Sequence, residues 1–223
     1  MCIDLNEDKR LLIEKHLNLV IKANEVTNIT RIDSVEQAKI LHIEDSLAGI
    51  QELNAAPDGL YADLGSGAGY PGIPLAIASE RKTTLVESVK KKAKILGGFA
   101  SELGLSDSIS VFPGRAEELA SLKAAAFSVI TARALSQTGS LMELASPLLN
   151  KGGHLICYKA RISEEEFSHA LALENKLGLK LISDREFYLS DNETYRRILV
   201  FEKFKNAQVK LPRRNGMAQR QPL

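Results

Sequence analysis

Apolar positions recur along this chain with two alternating periods, and the alternation itself predicts the layout. Over 6–24, Ile13, Leu17, Val20 and Ile21 fall at helical spacing, which predicts an amphipathic helix. Asn24, Thr27, Asn28 and Thr30 break it with polar turn chemistry. Ser34, followed by Gln37, reads as the cap of a second helix carrying His42, Asp45 and Leu47. His42 and Asp45 are three apart and so share a helix face. A loop is expected over 54–59. Short apolar runs then predict strands at 60–64, 82–87, 108–112, 127–131 and 154–158, separated by helical stretches over 73–78, 89–103, 141–149 and 164–177. Asn150-Lys151-Gly152-Gly153 reads as a helix stop. Two final β-rich runs, 180–189 and 195–204, flank Ser190-Asp191-Asn192-Glu193, a joint short and polar enough for an antiparallel hairpin.

Strands that alternate with helices build a parallel sheet, whose ligands lie at the carboxyl ends of its strands. The first strand ends in Asp63-Leu-Gly65-Ser66-Gly67-Ala-Gly69-Tyr70-Pro71-Gly72. Glycine permits positive φ and close backbone approach, and Pro71 suits the first turn of the next helix. Counted from Gly67, the run satisfies G-x-G-x-x-G, the dinucleotide fingerprint. Counted from Asp63, it is an acid, one residue, then G-x-G-x-G, a pattern similar to the first motif of S-adenosylmethionine-dependent methyltransferases. The carboxylate favours the second reading, because a pyrophosphate beside it would be repelled, whereas an amino group and a sulfonium would not. Glu87 ends the second strand about twenty residues past Gly65, the place for a carboxylate that binds ribose hydroxyls under either reading. Backbone near Ala116 and Glu117, after the third strand, and Arg133, after the fourth, lie on the same expected rim. An arginine there can hold a carboxylate or phosphate bidentately.

Composition narrows the picture modestly. The chain is 223 residues, 44% hydrophobic and 26% charged, with a net charge of +1, which fits one generous globular domain. Cys2 and Cys157 do not suggest a disulfide framework, and the scattered histidines show no metal-ligand spacing. With no signal peptide and no apolar run long enough to span a membrane, a cytoplasmic location is the default expectation. The basic residues are unevenly placed. Lys90, Lys91, Lys92 and Lys94 cluster after Glu87, and no acid occurs over 203–223, where Lys203, Lys205, Lys210, Arg213, Arg214 and Arg220 lie. With Arg196 and Arg197 just upstream, this reads as a footprint for a polyanion, against the alternative of a disordered solubilising tail.

The residues taken together resemble a family. Asp63 through Ile77, with its two prolines, resembles the bacterial 16S ribosomal RNA guanine-N7 methyltransferases, also known as the glucose-inhibited division protein B family. His42-Ile-Glu-Asp45-Ser-Leu47, Leu85 to Lys91, Arg115-Ala-Glu117, Thr131-Ala-Arg-Ala134 and Pro212-Arg-Arg-Asn-Gly216 through Leu223 are similar to family segments in the same order. Tyr70 stands where phenylalanine or leucine is common, and Ala160 where glycine is expected. The resemblance implies a Rossmann-like class I methyltransferase fold: α/β, with a central, mostly parallel seven-stranded sheet ending in an antiparallel hairpin. On this reading 1–58 is an N-terminal helical extension, 59–204 the methyltransferase domain and 205–223 a basic tail. It implies S-adenosylmethionine as cofactor, held by Gly65, Gly67, Tyr70, Glu87, Ala116, Glu117 and Arg133, to which the motif itself adds Asp63, Ser66 and Gly69. The implied partner is 16S ribosomal RNA, within a 30S or precursor particle, with Lys91, Lys92, Arg196, Arg197, Arg213 and Arg214 as candidates to bind it. No metal and no membrane are expected.

Guanine N7 carries an in-plane lone pair, so its methylation needs no general base, and the chain shows no obvious catalytic dyad. Arg133 is the one candidate positioning residue. The rival expectations are a methyltransferase for a small molecule or protein, a nicotinamide-dependent oxidoreductase, and a non-catalytic RNA-binding module.

Overall fold

A computed structural model describes residues 5–30 and 34–223; Cys2 lies outside them. The first helix, α1 (Glu7–Val26), starts where the Asn6 side chain accepts from the Lys9 amide at 2.9 Å, with Glu7 and Asp8 in its first turn. Both features complement unpaired N–H groups and the helix dipole. Ser34 caps α2 (Val35–Ala38) through the Gln37 amide, as its spacing predicts. The helix does not then continue regularly. It widens into a π-helical turn over Lys39–Glu44 before α3 (Asp45–Leu47) and α4 (Ile50–Ala55). Such a turn shifts the side chains that follow it out of ordinary helical phase, and His42 and Asp45 are the ones it re-aims.

Strand and helix alternate from there: β1 (Leu60–Leu64), α5 (Gly72–Ser79), β2 (Thr83–Val86), α6 (Lys90–Glu102), β3 (Ile109–Phe112), α7 (Ala116–Leu122), β4 (Phe127–Arg133), α8 (Thr138–Ala145) and β5 (Leu149–Lys159). They are followed by α9 (Glu164–Ala172), α10 (Glu174–Leu177), β6 (Leu179–Tyr188), β7 (Tyr195–Lys203) and α11 (Met217–Arg220). Among the described residues, seven strands form one sheet in the order β3-β2-β1-β4-β5-β7-β6. The first five pair in parallel, and β7 pairs antiparallel with both β5 and β6. This is the expected architecture, terminal hairpin included.

Strand alternation sends side chains to two cores. Ala62, Leu64, Phe127, Leu155 and Phe201 meet α7, α8 and α9 on one face. Tyr61, Val129, Ile156 and Val200 meet Leu53 and Leu75 on the other, where α1, α5 and α6 also pack.

Two sequence expectations are corrected, and the alternative of a disordered tail does not hold. The expected stop at 150–153 lies inside β5, where pairing shifts from Phe127 with Leu149 to Val129 with His154; Gly152, at φ 83°, allows the irregularity. The helix expected over 164–177 is divided at Leu173 into α9 and α10. The tail over 205–223 is folded onto the domain. Ala218 is 1% exposed in the first core, and the Arg213 guanidinium binds the buried Glu143 carboxylate at 2.7 and 2.6 Å.

Candidate functional site

The carboxyl ends of β1, β2 and β4 converge on the glycine loop. Gly65, Gly67 and Gly69 all have positive φ, which explains the run of glycines. The Gly65 and Ser66 amides donate to the Val86 carbonyl at 2.9 and 3.1 Å, tying the loop to β2. A Cβ on Gly65 would stand 2.8 Å from Leu135 Cδ1, and one on Gly69 would stand 2.9 Å from His16 Nε2. At Gly67 such an atom would meet nothing nearer than the Gly65 carbonyl at 3.8 Å, so the backbone there is open to a ligand. Gly72 has another cause. Its Cβ would press on Leu85 and on Asp63 Oδ2, at 2.5 and 2.7 Å. Helix packing therefore requires this glycine, with no phosphate involved.

Glu87 is buried beside the loop. One carboxylate oxygen accepts from the Gly67 amide at 3.0 Å and the other from the Val89 amide at 2.7 Å. A carboxylate has about four acceptor positions, so hydroxyl groups can still be bound. Asp63 is placed differently from a group that touches a ligand. It is fully buried behind the loop, and its Oδ1 accepts from the Thr131 hydroxyl at 2.7 Å. Burial pushes its pKa up to about 6 against the pull of Thr131, Ser66 and the Arg133 charge. It is thus ionised at neutral pH and projects negative potential through the loop from beneath. Ser66 is also buried, its hydroxyl donating to the Asp63 carbonyl at 3.0 Å.

The N-terminal helices brace the loop from the side. His16 Nε2 donates to the Ala68 carbonyl at 3.1 Å. Burial is the main cause that holds its pKa down to about 3, so the ring is neutral. Tyr70 lies between two histidines, stacked on His42 (4.3 Å between centroids, 7° between planes) and tilted against His16 at 4.6 Å. Burial and the neighbouring Arg133 charge lower the His42 pKa to about 4.

Arg133 reaches across from β4, its guanidinium carbon 5.8 Å from the Tyr70 ring centre. Its Nη1 donates to Asp45 Oδ2 at 2.8 Å and to the Leu41 carbonyl at 3.0 Å. The other Asp45 oxygen accepts from Arg196 Nε at 2.8 Å. A single buried carboxylate on α3 therefore orients two arginines, which gives the shared face of His42 and Asp45 its physical meaning.

Two cavities meet at segment 133–136. The smaller, about 130 Å³, is lined by Gly65, Val86, Gly114, Ala116, Leu135 and Gln219, among others. The larger, about 450 Å³, is lined by His42, Asp45, Arg133, Tyr158, Lys159 and Arg196, among others. Glu117 also lines the smaller one, but its carboxylate accepts from the Gly216 amide of the tail at 2.6 Å. Gln219 and Leu135 are walls that sequence reasoning missed. Gln219 carried no signal beyond its place in a proline- and glycine-bearing tail, and Leu135 none at all.

The sequence-predicted RNA candidates are dispersed. Lys91 is exposed and Lys92 half-buried on α6, and Arg214 is exposed. Arg196, Arg197 and Arg213 do not stand as unpaired charges: they bind Asp45, Asp184 and Glu143 respectively. Among the described residues no group of three or more His, Cys, Asp or Glu could hold a metal ion, and no helix is long and apolar enough to cross a membrane.

Comparison with known proteins places the chain among relatives. The family model described as "GidB: rRNA small subunit methyltransferase G" matches residues 10–188. A ribosomal RNA small subunit methyltransferase G from Alkaliphilus metalliredigens is 33% identical over 224 residues, covering 99% of this chain and 92% of the relative. The protein of the same name from Streptococcus gordonii is 35% identical over 225 residues, covering 99% and 94%. Among solved structures, an O-methyltransferase from Bacillus cereus in complex with SAH superposes with TM-score 0.61 at 19% identity, covering 85% of this chain and 91% of that one. A geranyl diphosphate methyltransferase in complex with SAM gives TM-score 0.55 at 12% identity, covering 71% and 84%. Those two likenesses bear on the fold.

Proposed function

The chain belongs to the rRNA small subunit methyltransferase G family, and on that footing we propose that this S-adenosylmethionine-dependent enzyme methylates N7 of a guanine in 16S ribosomal RNA. The observation that carries the reading is the junction at 133–136: a glycine-bearing cavity on one side and, on the other, a larger cavity lined by Arg133, Lys159, Arg161 and Arg196, in which Asp45 and Glu166 pair every cation but Arg161. Such a junction brings a cofactor and a polyanionic substrate to one point.

The residues present fit the cofactor. The open backbone at Gly67, the Glu87 carboxylate beside it and the buried Asp63 charge suit a ligand with ribose hydroxyls and positive charge. S-adenosylmethionine supplies an electrophilic methyl group on a sulfonium, open to in-line attack by the free N7 lone pair. Gly65, Gly67 and Glu87 would hold its amino-acid and ribose parts, with Ala116, Leu135 and Gln219 around the base. Tyr70 and Arg133 would form the wall shared with the target. Nothing needs to remove a proton, and the nearby groups are poorly disposed to do so. Asp45 is held by two arginines, and His42 remains neutral, with little basicity, down to about pH 4. Rate enhancement would then come mainly from alignment, which can supply up to about 7–11 kcal/mol.

N7 lies on the major-groove edge, which is deep and narrow in A-form RNA. The target base is therefore unpaired or flipped when it enters the larger cavity. On this reading 59–204 is the catalytic unit, 1–58 braces its loop, 205–223 closes the cofactor cavity, and the enzyme works in the cytoplasm on a 30S or precursor particle. The test uses labelled S-adenosylmethionine with 30S particles from cells lacking this protein, followed by nucleoside analysis. Label in 7-methylguanosine, absent with the Gly65→Asp variant, is the expected result. Cofactor binding without transfer to 30S particles or free 16S RNA would overturn the RNA assignment and point to a smaller acceptor.

A further inference from the structure

We infer that the tip of the β6–β7 hairpin is a second nucleotide subsite, a stacking platform of Tyr188, Tyr195 and Arg161 that receives an unpaired RNA base flanking the methylated guanine. The inference rests on the RNA reading above and adds to it a place where the substrate is gripped away from the reacting atoms.

Tyr188 exposes 57% of its surface, an unusual situation for a large ring in a well-packed sheet. It pairs across the hairpin with Tyr195, the rings meeting edge-on at 5.6 Å and 71°. An edge-on pair leaves ring face uncovered, and an uncovered face is what an unstacked base seeks. Arg161 lies with its guanidinium 6.0 Å from the Tyr195 ring centre. It is exposed and, among the described residues, makes no ion pair. Its plane and charge suit both a base and a phosphate.

These side chains line a cavity of about 350 Å³. The one carboxylate in its wall, Glu186, stands 3.5 Å from Arg197, which also binds Asp184. Arg161 lines this cavity and the larger one beside Arg133 as well, so the two are contiguous through a single residue. A strand of RNA with its target base in the first cavity has the second directly along its path. Elsewhere on the edge strand β6, charges such as Lys180, Asp184 and Arg185 guard against unwanted pairing; at the tip the sequence presents rings instead. Exposed Glu164 and Glu165 follow closely after Arg161 in the chain. Phosphate attraction is therefore modest here, and stacking is the main contribution.

The chain has five tyrosines and no tryptophan, and Tyr61, Tyr70 and Tyr158 are buried. Carbon-labelled tyrosine rings thus report the platform by NMR. Titration of the full chain with an unstructured oligouridylate is expected to shift the Tyr188 and Tyr195 rings and leave Tyr61, which lines neither cavity, in place. Tyr188→Leu, which keeps apolar bulk, is expected to weaken that binding about tenfold. In methyl transfer to 30S particles the same variant is expected to raise KM by a similar factor with cofactor affinity unchanged. Unmoved rings, or equal shifts with polyglutamate, would overturn the platform even where 30S particles are methylated. Shifted rings in an enzyme that fails to methylate 30S particles would uphold the platform and reject the substrate.

Discussion

At the scale of single residues, the glycines of this chain separate into those the cofactor cavity needs and those it does not. Gly65, at φ 72° with Leu135 Cδ1 2.8 Å from a would-be Cβ, cannot accept a side chain without moving a cavity wall. Gly65→Ala should cost about 1–2 kcal/mol in backbone strain and lower cofactor affinity at least tenfold by calorimetry. Gly98 in α6 has open space around it, so Gly98→Ala should stabilise by roughly 0.5–1 kcal/mol and leave that affinity alone. Buried histidines set the acid response. His16 and His42 have folded pKa values near 3 and 4 against an ordinary 6.5. The unfolded chain therefore binds more protons below 6.5, and the stability each contributes is lost as pH falls from there toward its folded value. Asp63 acts in the opposite sense: raised to about 6 from 3.8, it favours the folded state increasingly as pH falls from about 6 to 4. Urea denaturation between pH 7 and 4 should show a net loss on acidification. His16→Gln, which retains a donor for the Ala68 carbonyl, should make that loss shallower by up to about 1.4 kcal/mol per pH unit. Asp63→Asn should make it steeper.

At the scale of elements, the C-terminal segment shows what pattern alone reveals and what it hides. Its basic composition is plain in the sequence and suggests a polyanion, but a charge count carries no information about partners distant in the chain. Glu143, the partner of Arg213, is separated from it by 70 positions. The partners that Asp45 orients, Arg133 and Arg196, are separated from it by 88 and 151. Local features were legible for the converse reason. The glycine loop, the cap at Ser34, the strand ends at Asp63 and Glu87 and the closing hairpin depend on neighbours within a few residues or on one periodic repeat. The π-helical turn at Lys39–Glu44 was not, because the helical spacing on either side is intact and tertiary packing decides where it widens. The tail therefore yields a prediction opposite to its composition. Arg213→Ala leaves the Glu143 carboxylate buried without its cation and should destabilise by about 3 kcal/mol, measured by thermal or chemical unfolding. Truncation after Phe204 removes Gln219 from the cavity wall and the Gly216 amide from Glu117. Cofactor affinity should fall with it, ahead of any change in RNA affinity that persists at saturating cofactor.

For the whole molecule, the distribution of charge decides how it meets a polyanion. The net charge is only +1, and several of the most suggestive cations are committed inside the fold. Arg185 binds Glu52, Arg196 binds Asp45, Arg197 binds Asp184, and Lys203 is buried against Ser146 and the Leu177 carbonyl. Opening Arg185 or Arg197 to reach a phosphate would leave Glu52 or Asp184 without its main partner. Phosphate contacts then fall to exposed residues, and beside the two cavities these include Arg161, Lys90 and Lys91. Three such contacts to single-stranded RNA correspond to a slope of roughly −2 in log K against log salt. Anisotropy titrations of a labelled, unpaired RNA fragment across a salt series should give that shallow slope, with much of the affinity surviving at high salt because stacking is not screened. A slope steeper than about −5 would mean that many more surface cations than these three reach phosphates, and would overturn a grip that rests on stacking.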